Sequence, residues 1–168
     1  MESVAILAVG GTIDAEEYDF SEGRVLRFGE PAVRAVLKRL RPWMNVHEAI
    51  SAFPQKDSSE MTVEDRSRIA AFCRNTPAKR ILITHGTDTM ILTGLALEQI
   101  ANKTIVLTGA LPYCLDPVHA AFNIGSALAA CQLLSPGVYI AMSGEVVPVR
   151  EAVKMRSGNV IIFTKKLL

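Results

Sequence analysis

Two threonines stand where an apolar, strand-like run of this sequence gives way to polar residues. Thr12 follows VAILAVGG, and Thr87 follows RILITHG and is itself followed by Asp88 and Thr89. A hydroxyl group can attack an acyl carbon when a neighbouring group takes its proton. Two hydroxyl groups delivered by separate strand ends therefore predict a site in which one threonine attacks and another group moves the proton.

The loop before Thr12 contains Gly10 and Gly11, a pair that could open a dinucleotide-binding turn. That fingerprint requires G-x-G-x-x-G at the start of a helix, whereas this sequence continues as TIDAEEYDF with no third glycine. A nucleotide cofactor is therefore disfavoured. Two glycines instead allow backbone N–H groups to lie close to a reacting atom, as an oxyanion hole beside Thr12 would require. The competing interpretation is that Thr12 caps a turn.

Apolar runs of strand length alternate along the chain with segments whose apolar residues repeat at helical spacing. The predicted strands are VAILAV (4–9), VHEAI (46–50), RILIT (80–84), TIVLTG (104–109) and GVYIAM (137–142). The predicted helices cover 31–40, 61–75, 87–101 and 116–134, and the tail adds a hairpin or an edge strand. This alternation is typical of an α/β fold with a doubly wound, mainly parallel sheet, here as one domain over residues 1–168.

The fold predicts where the chemistry lies. Ligands of doubly wound sheets bind beyond the carboxyl ends of the strands, where the strand order changes direction. Thr12, the Thr87-Asp88 pair and the Gly109-Ala110 pair all follow predicted strands directly. We therefore expect these residues to line one crevice.

Composition limits the kinds of partner. The chain has 168 residues, 49% of them hydrophobic, which is enough for a substantial core. Its 18 basic and 17 acidic residues are spread along the sequence and give a net charge of +1. A basic face for nucleic acid or an anionic membrane is not expected, and the predicted partner is a small molecule.

Cysteine and histidine usage points to a cytoplasmic protein without a metal. Cys73, Cys114 and Cys131 are odd in number and widely spaced, which favours reduced thiols over disulfides. His47 and His119 stand alone, so no metal site is predicted, and His85 is expected to be structural. The first apolar run ends too early for a signal peptide, and no stretch reaches the length of a membrane span.

Several motifs in a fixed order connect these observations to a known family. The ordered set resembles the bacterial and archaeal L-asparaginases, which use threonine nucleophiles. HGTDT after an apolar strand is the most specific of the matches, whereas GGT alone would be weak. The matching segments are GGTI at 10–13, DSSEM at 57–61, THGTDTM at 84–90, GALP at 109–112, Asp116-Pro117 with FN at 122–123, and Lys154 in VREAVKM.

The resemblance implies a reaction and a catalytic set. Thr12 would attack the side-chain amide carbon of asparagine, form an acyl-enzyme and release ammonia. Tyr18, in a flexible-looking segment, would belong to a mobile lid and bond the nucleophile, unless it is only a surface aromatic residue. Thr87, Asp88 and Lys154 would form a second cluster that relays a proton or orients water. Which of the two threonines forms the covalent bond stays open, and no cofactor is implied.

The resemblance also implies how the substrate is held. Asp88 would bind the α-ammonium group, and Ser58 with nearby N–H groups the α-carboxylate. Gly11, Asp57, Ser59, Thr87 and Ala110 complete the expected pocket, with the Ala110 carbonyl accepting from the amide NH2. The alternatives are structural: Asp57, Ser58 and Ser59 could form a turn, Thr87 and Asp88 a helix cap, and Lys154 a solvated surface charge.

One departure from the family concerns length. Family members commonly carry a second, C-terminal domain that helps complete the site, whereas this sequence ends at Leu168 and resembles the short-chain asparaginases. A homodimer or higher homo-oligomer is therefore expected, with the segment 120–134 as a candidate interface unless it is a core helix. Glutamine or another small amide is an alternative substrate, and a non-catalytic amino-acid-binding protein is an alternative function.

Overall fold

The computed structural model describes residues 3–40, 46–48, 53–157 and 160–166. Within these ranges the strands are β1 (Val4–Ala8), β2 (Ala15–Asp19), β3 (Arg24–Phe28), β4 (Val46–Glu48), β5 (Arg80–Thr84), β6 (Thr104–Thr108), β7 (Gly137–Met142), β8 (Glu145–Pro148), β9 (Ala152–Ser157) and β10 (Val160–Lys165). The α-helices of the same ranges are α1 (Ala32–Leu40), α2 (Val63–Asn75), α3 (Met90–Leu97) and α4 (Pro117–Leu133). Short 3-10 turns cover Thr12–Asp14, Ser58–Glu60 and Val149–Glu151.

A six-stranded sheet forms the centre, in the order β4-β1-β5-β6-β7-β8. Strands β4, β1, β5, β6 and β7 are parallel, and β8 pairs antiparallel with β7 at the edge. From β1 the chain adds β4 on one side and β5 on the other. The strand order therefore reverses between β1 and β5, and a crevice opens beyond their carboxyl ends. The predicted α/β fold with a mainly parallel sheet is confirmed.

Both faces of this sheet are covered, which explains why its inner strands are apolar without alternation. On one face, Ile81 and Ile83 of β5 pack in a buried cluster with residues of α2 and α3. On the other face, Leu82 of the same strand packs with residues of α1 and α4. Successive side chains of a strand point to opposite faces, so one short strand contributes to both cores.

The predicted helices agree in order with those of the described ranges, and their ends follow from local chemistry. At the start of α2, the Thr62 and Asp65 side chains each bond the other's backbone N–H, forming a capping box. At the start of α4, Asp116 accepts from the His119 N–H, and Pro117 occupies the first turn.

Helix α3 is shorter than predicted, covering Met90–Leu97 and not 87–101. Its N-cap is Thr89, so the alternative in which Thr87 and Asp88 cap the helix is wrong. The loop before it bends because the Asp88 N–H donates to Ser58 Oγ at 3.2 Å. After Leu97 the chain leaves the α-helical pattern, with the Ile100 N–H donating to the Leu97 carbonyl.

Two antiparallel hairpins lie outside the central sheet, β2–β3 and β9–β10. The first occupies the flexible-looking segment around Tyr18, to which the sequence assigned no regular element. Arg27 of β3 pairs with Glu16 and Glu17 of β2, and Asp19 organises the turn by accepting from Ser21. These exposed polar contacts leave no apolar signature in the sequence.

The sequence predicts a hairpin or an edge strand from GEVVP and NVIIFTKK. Strand β8, within GEVVP, is an edge strand paired with β7, which confirms that alternative. Strand β10, within NVIIFTKK, pairs with β9 and not with β8, and the sequence assigns β9 no element. Phe163 of β10 is buried in the core, and the Ser143 hydroxyl donates to the Ile161 carbonyl. Strand β4 confirms the predicted strand over 46–48, while residues 49 and 50 of that prediction lie outside the described residues.

Candidate active site

The crevice between β1 and β5 is formed by two loops in close contact. Gly11 adopts φ +88°, and a Cβ there would lie 2.3 Å from the Gly86 nitrogen. The Gly11 N–H donates to the Lys56 carbonyl at 2.9 Å. Only glycine allows both this conformation and this approach. The two glycines before Thr12 therefore bring its loop against the loop that carries Thr87.

The side chains of Thr12 and Tyr18 lie beside each other at this crevice. Thr12 begins a 3-10 turn directly after the β1 loop, and Tyr18 lies on β2. Burial raises the pKa of the Tyr18 phenol; the Thr12 side chain opposes this shift, and the Asp57 and Asp88 carboxylates add to it. Tyr18 is therefore a neutral phenol at pH 7, beside the Thr12 hydroxyl.

A second pair, Lys154 and Asp88, lies at the same end of the sheet. Lys154 Nζ is 2.6 Å from Asp88 Oδ1, so the β9 strand reaches the loop after β5. The alternative of an unpaired, solvated Lys154 is therefore wrong. The Asp88 charge reaches Tyr18, since it contributes to the raised pKa of that phenol. Thr87, adjacent to Asp88, is half-buried against the loop after β6.

The segment Asp57-Ser58-Ser59 forms one wall and adopts the alternative predicted for it, a turn. Asp57 Oδ1 accepts from the Ser59 N–H at 3.0 Å and from its hydroxyl at 2.9 Å. Asp57 Oδ2 accepts from the Val25 N–H of β3 at 3.4 Å. Ser58 is buried, and its carbonyl accepts from the Thr89 hydroxyl at 2.6 Å. These residues therefore join the β2–β3 hairpin, the turn and the start of α3.

Ala110 is buried beside Gly109 at the end of β6. A Cβ at Gly109 would lie 2.6 Å from the His85 carbonyl oxygen and 3.5 Å from Thr87 Cγ2. The loop after β6 is thus packed directly against the loop after β5. Gly109 and Thr87 consequently lie side by side at the carboxyl ends of neighbouring strands.

His85 makes structural contacts at the base of the site. Its ring is completely buried, with Nδ1 2.7 Å from the Gly86 carbonyl oxygen and Nε2 2.8 Å from Thr93 Oγ1. Burial lowers the pKa of His85 to about 4. The imidazole is therefore neutral at pH 7, with Nδ1–H donating to Gly86 and Nε2 accepting from Thr93.

Two residues near the site were not predicted. Arg156 lies two positions after Lys154 on β9, and its charge lowers the pKa of Tyr18, as Thr12 does, against the effects of burial and of the two carboxylates. The i, i+2 spacing on a strand could have identified it, had β9 been recognised. Asp14 lies two positions after Thr12, is buried, and accepts from the Ala32 N–H through Oδ1 at 2.8 Å.

Asp14 has an unusual electrostatic environment. Burial raises its pKa to about 6, against the opposing effects of the Ala32 N–H and the nearby Gln55 amide. Asp14 Oδ2 and Gln55 Nε2 are both buried and outside hydrogen-bond geometry. Nothing in the sequence around Asp14 signals this burial, because it depends on the packing of distant segments.

The described residues show no group of three His, Cys, Asp or Glu side chains that could hold a metal ion. All three cysteines are free thiols, with Cys73 and Cys131 buried and Cys114 exposed. Among the helices of the described ranges, none is both long enough and apolar enough to cross a membrane.

Known proteins resemble this chain in sequence. A Haemophilus influenzae protein named probable periplasmic L-asparaginase is 26% identical over 174 residues, covering 97% of this chain and 49% of that protein. A Methanococcus vannielii protein, named as one component of a glutamyl-tRNA(Gln) amidotransferase, is 28% identical over 166 residues, covering 87% of this chain and 35% of that protein. The chain thus spans about half the length of the first relative and about a third of the second.

Solved structures share the fold. A probable cytoplasmic L-asparaginase from Campylobacter jejuni superposes with a TM-score of 0.80 at 26% identity, over 98% of this chain and 53% of that one. L-asparaginase I from Vibrio cholerae gives a TM-score of 0.75 at 23% identity, over 99% of this chain and 52% of that one, which supports the fold alone.

The family assignment follows from a match over almost the whole sequence. Residues 3–166 match the family described as Asparaginase, N-terminal. The match includes all the motifs, from GGTI to Lys154, on which the resemblance was based. This chain therefore belongs to the asparaginase family, which it matches through the family's N-terminal region.

Proposed function

We propose that this chain hydrolyses the side-chain amide of L-asparagine to aspartate and ammonia. The observation that carries the proposal is the placement of the Tyr18 phenol beside Thr12 at the crevice between β1 and β5, where the threonine lowers the pKa of the phenol. A threonine hydroxyl is a weak nucleophile unless a neighbouring group handles its proton. Family membership and the Lys154–Asp88 pair at the same crevice support this assignment.

In the proposed first step, Thr12 Oγ1 attacks the amide carbon. The C–N bond breaks, the acyl group stays on Thr12 as an ester, and the leaving nitrogen departs as ammonia with the proton from the threonine. Tyr18 is neutral at pH 7, so it accepts that proton only as it passes its own to the leaving group. Water then hydrolyses the ester, which releases aspartate and restores the hydroxyl.

The second cluster serves the water step and the amino-acid part of the substrate. Thr87 orients the attacking water, and the Lys154–Asp88 pair adjusts the charge around it. Asp88 is the more exposed member of that pair, with a side chain 57% accessible, so one face remains open to the substrate ammonium group.

The remaining pocket residues hold the substrate in place. The close approach of Gly11 to Gly86 sets the Thr12 loop against the loop that carries Thr87, and the Ala110 carbonyl accepts from the amide NH2. Ser58 accepts a bond from the Asp88 N–H and can still donate its own hydrogen to the substrate carboxylate. Asp57 and Ser59 act through the turn that they form with each other.

We place the reaction in the cytoplasm, because all three cysteines are free thiols and such thiols are usual in a reducing compartment. We also propose a homo-oligomer. Helix α4 buries one side in the core but leaves Val118 and Phe122 exposed, and a second copy could cover them. Light scattering after size exclusion tests this point, and a monomer at micromolar concentration would contradict it.

The activity is tested by ammonia release from asparagine and from glutamine over a wide concentration range. Wild type is compared with Thr12→Ala, which lacks the hydroxyl, and with Thr12→Ser, the matched control that keeps it. We expect release from asparagine by wild type, partial activity in the serine variant and none in the alanine variant.

Three outcomes would change the proposal. Faster release from glutamine would reassign the substrate. Equal rates in wild type and Thr12→Ala would exclude Thr12 as the nucleophile. No release from a folded protein that still binds asparagine by calorimetry would identify a binding protein and not an enzyme.

A further inference from the structure

Asn123 of α4 has a buried amide that is fully used in joining two loops. Its Nδ2 donates to the Gly109 carbonyl at 2.8 Å, and its Oδ1 accepts from the Ser143 N–H at 2.9 Å. His119 Nε2 lies 3.2 Å from the same Nδ2. The side chain is completely buried, so each of these bonds forms without competition from water.

The Gly109 end of this connection leads to the candidate site. A Cβ at Gly109 would meet the His85 carbonyl oxygen at 2.6 Å and Thr87 Cγ2 at 3.5 Å, so the Gly109 backbone lies against the Thr87 loop. Gly109 also precedes Ala110, whose carbonyl is proposed to accept from the substrate amide. A shift of the Gly109 carbonyl therefore moves both Thr87 and Ala110.

The Ser143 end explains why the connection is rigid. Ser143 has φ +55°, a conformation that is uncommon for residues other than glycine. Its N–H is held by Asn123 and its hydroxyl by the Ile161 carbonyl of β10. Asn123 thus ties the position of Gly109 to a turn that is itself fixed from two sides.

We propose that Asn123 is a positioning residue for the amide-hydrolysing site, holding the Gly109–Ala110 peptide and Thr87 in their working geometry. This inference rests on the proposed function. It assigns Asn123 no contact with the substrate, and its effect passes through the Gly109 carbonyl. A misplacement near 1 Å at a reacting centre can reduce a rate by about a hundredfold, so a buried clamp of this kind matters.

The variant Asn123→Asp gives a test with a distinctive pH dependence. One carboxyl oxygen can still accept from the Ser143 N–H, and the other replaces Nδ2 beside the Gly109 carbonyl. When protonated, the introduced carboxyl donates to that carbonyl; when ionised, it repels it. Burial raises the pKa of such a carboxyl, so the change falls within a measurable range.

We expect kcat of Asn123→Asp to approach the wild-type value near pH 5 and to fall roughly tenfold to a hundredfold below it near pH 8.5. Asn123→Ala, which removes the donor without adding a charge, should lose activity equally at all pH values. His119 is the titratable side chain shown in contact with the Asn123 amide, while Gly109 and Ser143 meet it through backbone groups. His119→Gln with and without Asn123→Asp therefore isolates the effect of the introduced carboxyl.

The matched control is Thr108→Val. Its hydroxyl donates to the Ala141 carbonyl at 2.6 Å, so it also joins β6 to β7 through a buried side chain. Although Thr108 precedes Gly109 in the chain, its hydroxyl donates to Ala141 and not to the Gly109 carbonyl, which accepts from Asn123. A lower melting temperature with unchanged kcat is expected for this variant. If Thr108→Val loses as much kcat as Asn123→Ala, the effect is one of general stability and the inference is wrong.

A second measurement does not depend on turnover. The backbone amide resonances of Thr87 and Ala110 should shift with pH in Asn123→Asp and not in Thr108→Val. If the wild-type protein hydrolyses no amide, the proposed function is wrong, and these resonances alone then test the role of Asn123. The role of Asn123 is overturned if the resonances stay unchanged, or if the ratio of the Asn123→Asp kcat to the wild-type kcat is independent of pH.

Discussion

Asp14 allows a quantitative prediction about stability. Burial raises the pKa of its carboxyl from 3.8 to about 6. Between these values the unfolded chain binds fewer protons than the native one, so the free energy of unfolding falls as pH rises and stays lower above pH 6. A shift of this size corresponds to about 3 kcal/mol at neutral pH.

The variant Asp14→Asn removes this ionisation with little change of shape. Its Oδ1 can still accept from the Ala32 N–H, as Asp14 does at 2.8 Å. Its NH2 group replaces Oδ2, which lies outside hydrogen-bond geometry, and the Gln55 amide can turn its oxygen towards it. We expect the variant to gain about 1 kcal/mol over wild type at pH 4.5 and about 3 kcal/mol at pH 7.5.

The assay is urea unfolding followed by circular dichroism, from pH 4.5 to 7.5, with melting temperatures as a check. A gain of about 3 kcal/mol corresponds to a rise of roughly 6 to 12 °C for a chain of this size. Asp65→Asn is the matched control, because the Lys56 hydrogen bond lowers the pKa of that buried carboxyl. The Asp65→Asn substitution should destabilise the protein most at neutral pH and least in acid.

As pH rises, the free energy of unfolding relative to wild type should therefore increase for Asp14→Asn and decrease for Asp65→Asn. A difference between Asp14→Asn and wild type that is constant from pH 4.5 to 7.5 would refute the assigned cause. A variant that is less stable than wild type at pH 7.5 would show that the ionised carboxylate is favourable in the folded protein.

The remaining predictions concern backbone space and thiol exposure. Gly11→Ala should destabilise the protein and abolish hydrolysis, because its Cβ would lie 2.3 Å from the Gly86 nitrogen. Gly125→Ala is the control, since a Cβ there would have no atom within 4 Å apart from its chain neighbours and the backbone of its own helix. A stabilisation of about 0.5–1 kcal/mol in urea unfolding is expected for this helical site. A thiol reagent should modify Cys114 in the native protein, and the two buried cysteines, with pKa values of about 12, only after unfolding. Three thiols reacting at equal native rates would contradict their burial.

Much of the sheet could be predicted because its strands are buried on both faces. A short, continuous apolar run such as RILIT is typical of a buried strand, and it matches β5 residue for residue. The carboxyl ends of such strands then place Thr12 and Thr87 at one edge of the sheet. The β2–β3 hairpin could not be found in this way, because ion pairs such as Arg27 with Glu17 stabilise it without an apolar pattern.

The environment of Asp14 could not be predicted for a different reason. An aspartate shortly after a strand is ordinarily an exposed turn residue. Its burial arises from α1 and from Gln55, two segments whose positions depend on the complete fold. Local sequence therefore predicts which residues follow a strand, but not which of them become buried.

The candidate site combines two kinds of structure with different expected stability. The parallel sheet supplies Thr12 and Thr87 on loops held by close glycine contacts and buried strands. The two hairpins supply Tyr18 and Lys154, and apart from Ala15 and Phe163 the described side chains of these hairpins are partly or fully exposed. Segments with few buried contacts open at lower free energy than the core. Tyr18 and Lys154 should therefore separate from the threonines before the threonines themselves move, so the proposed activity should be lost before the sheet unfolds.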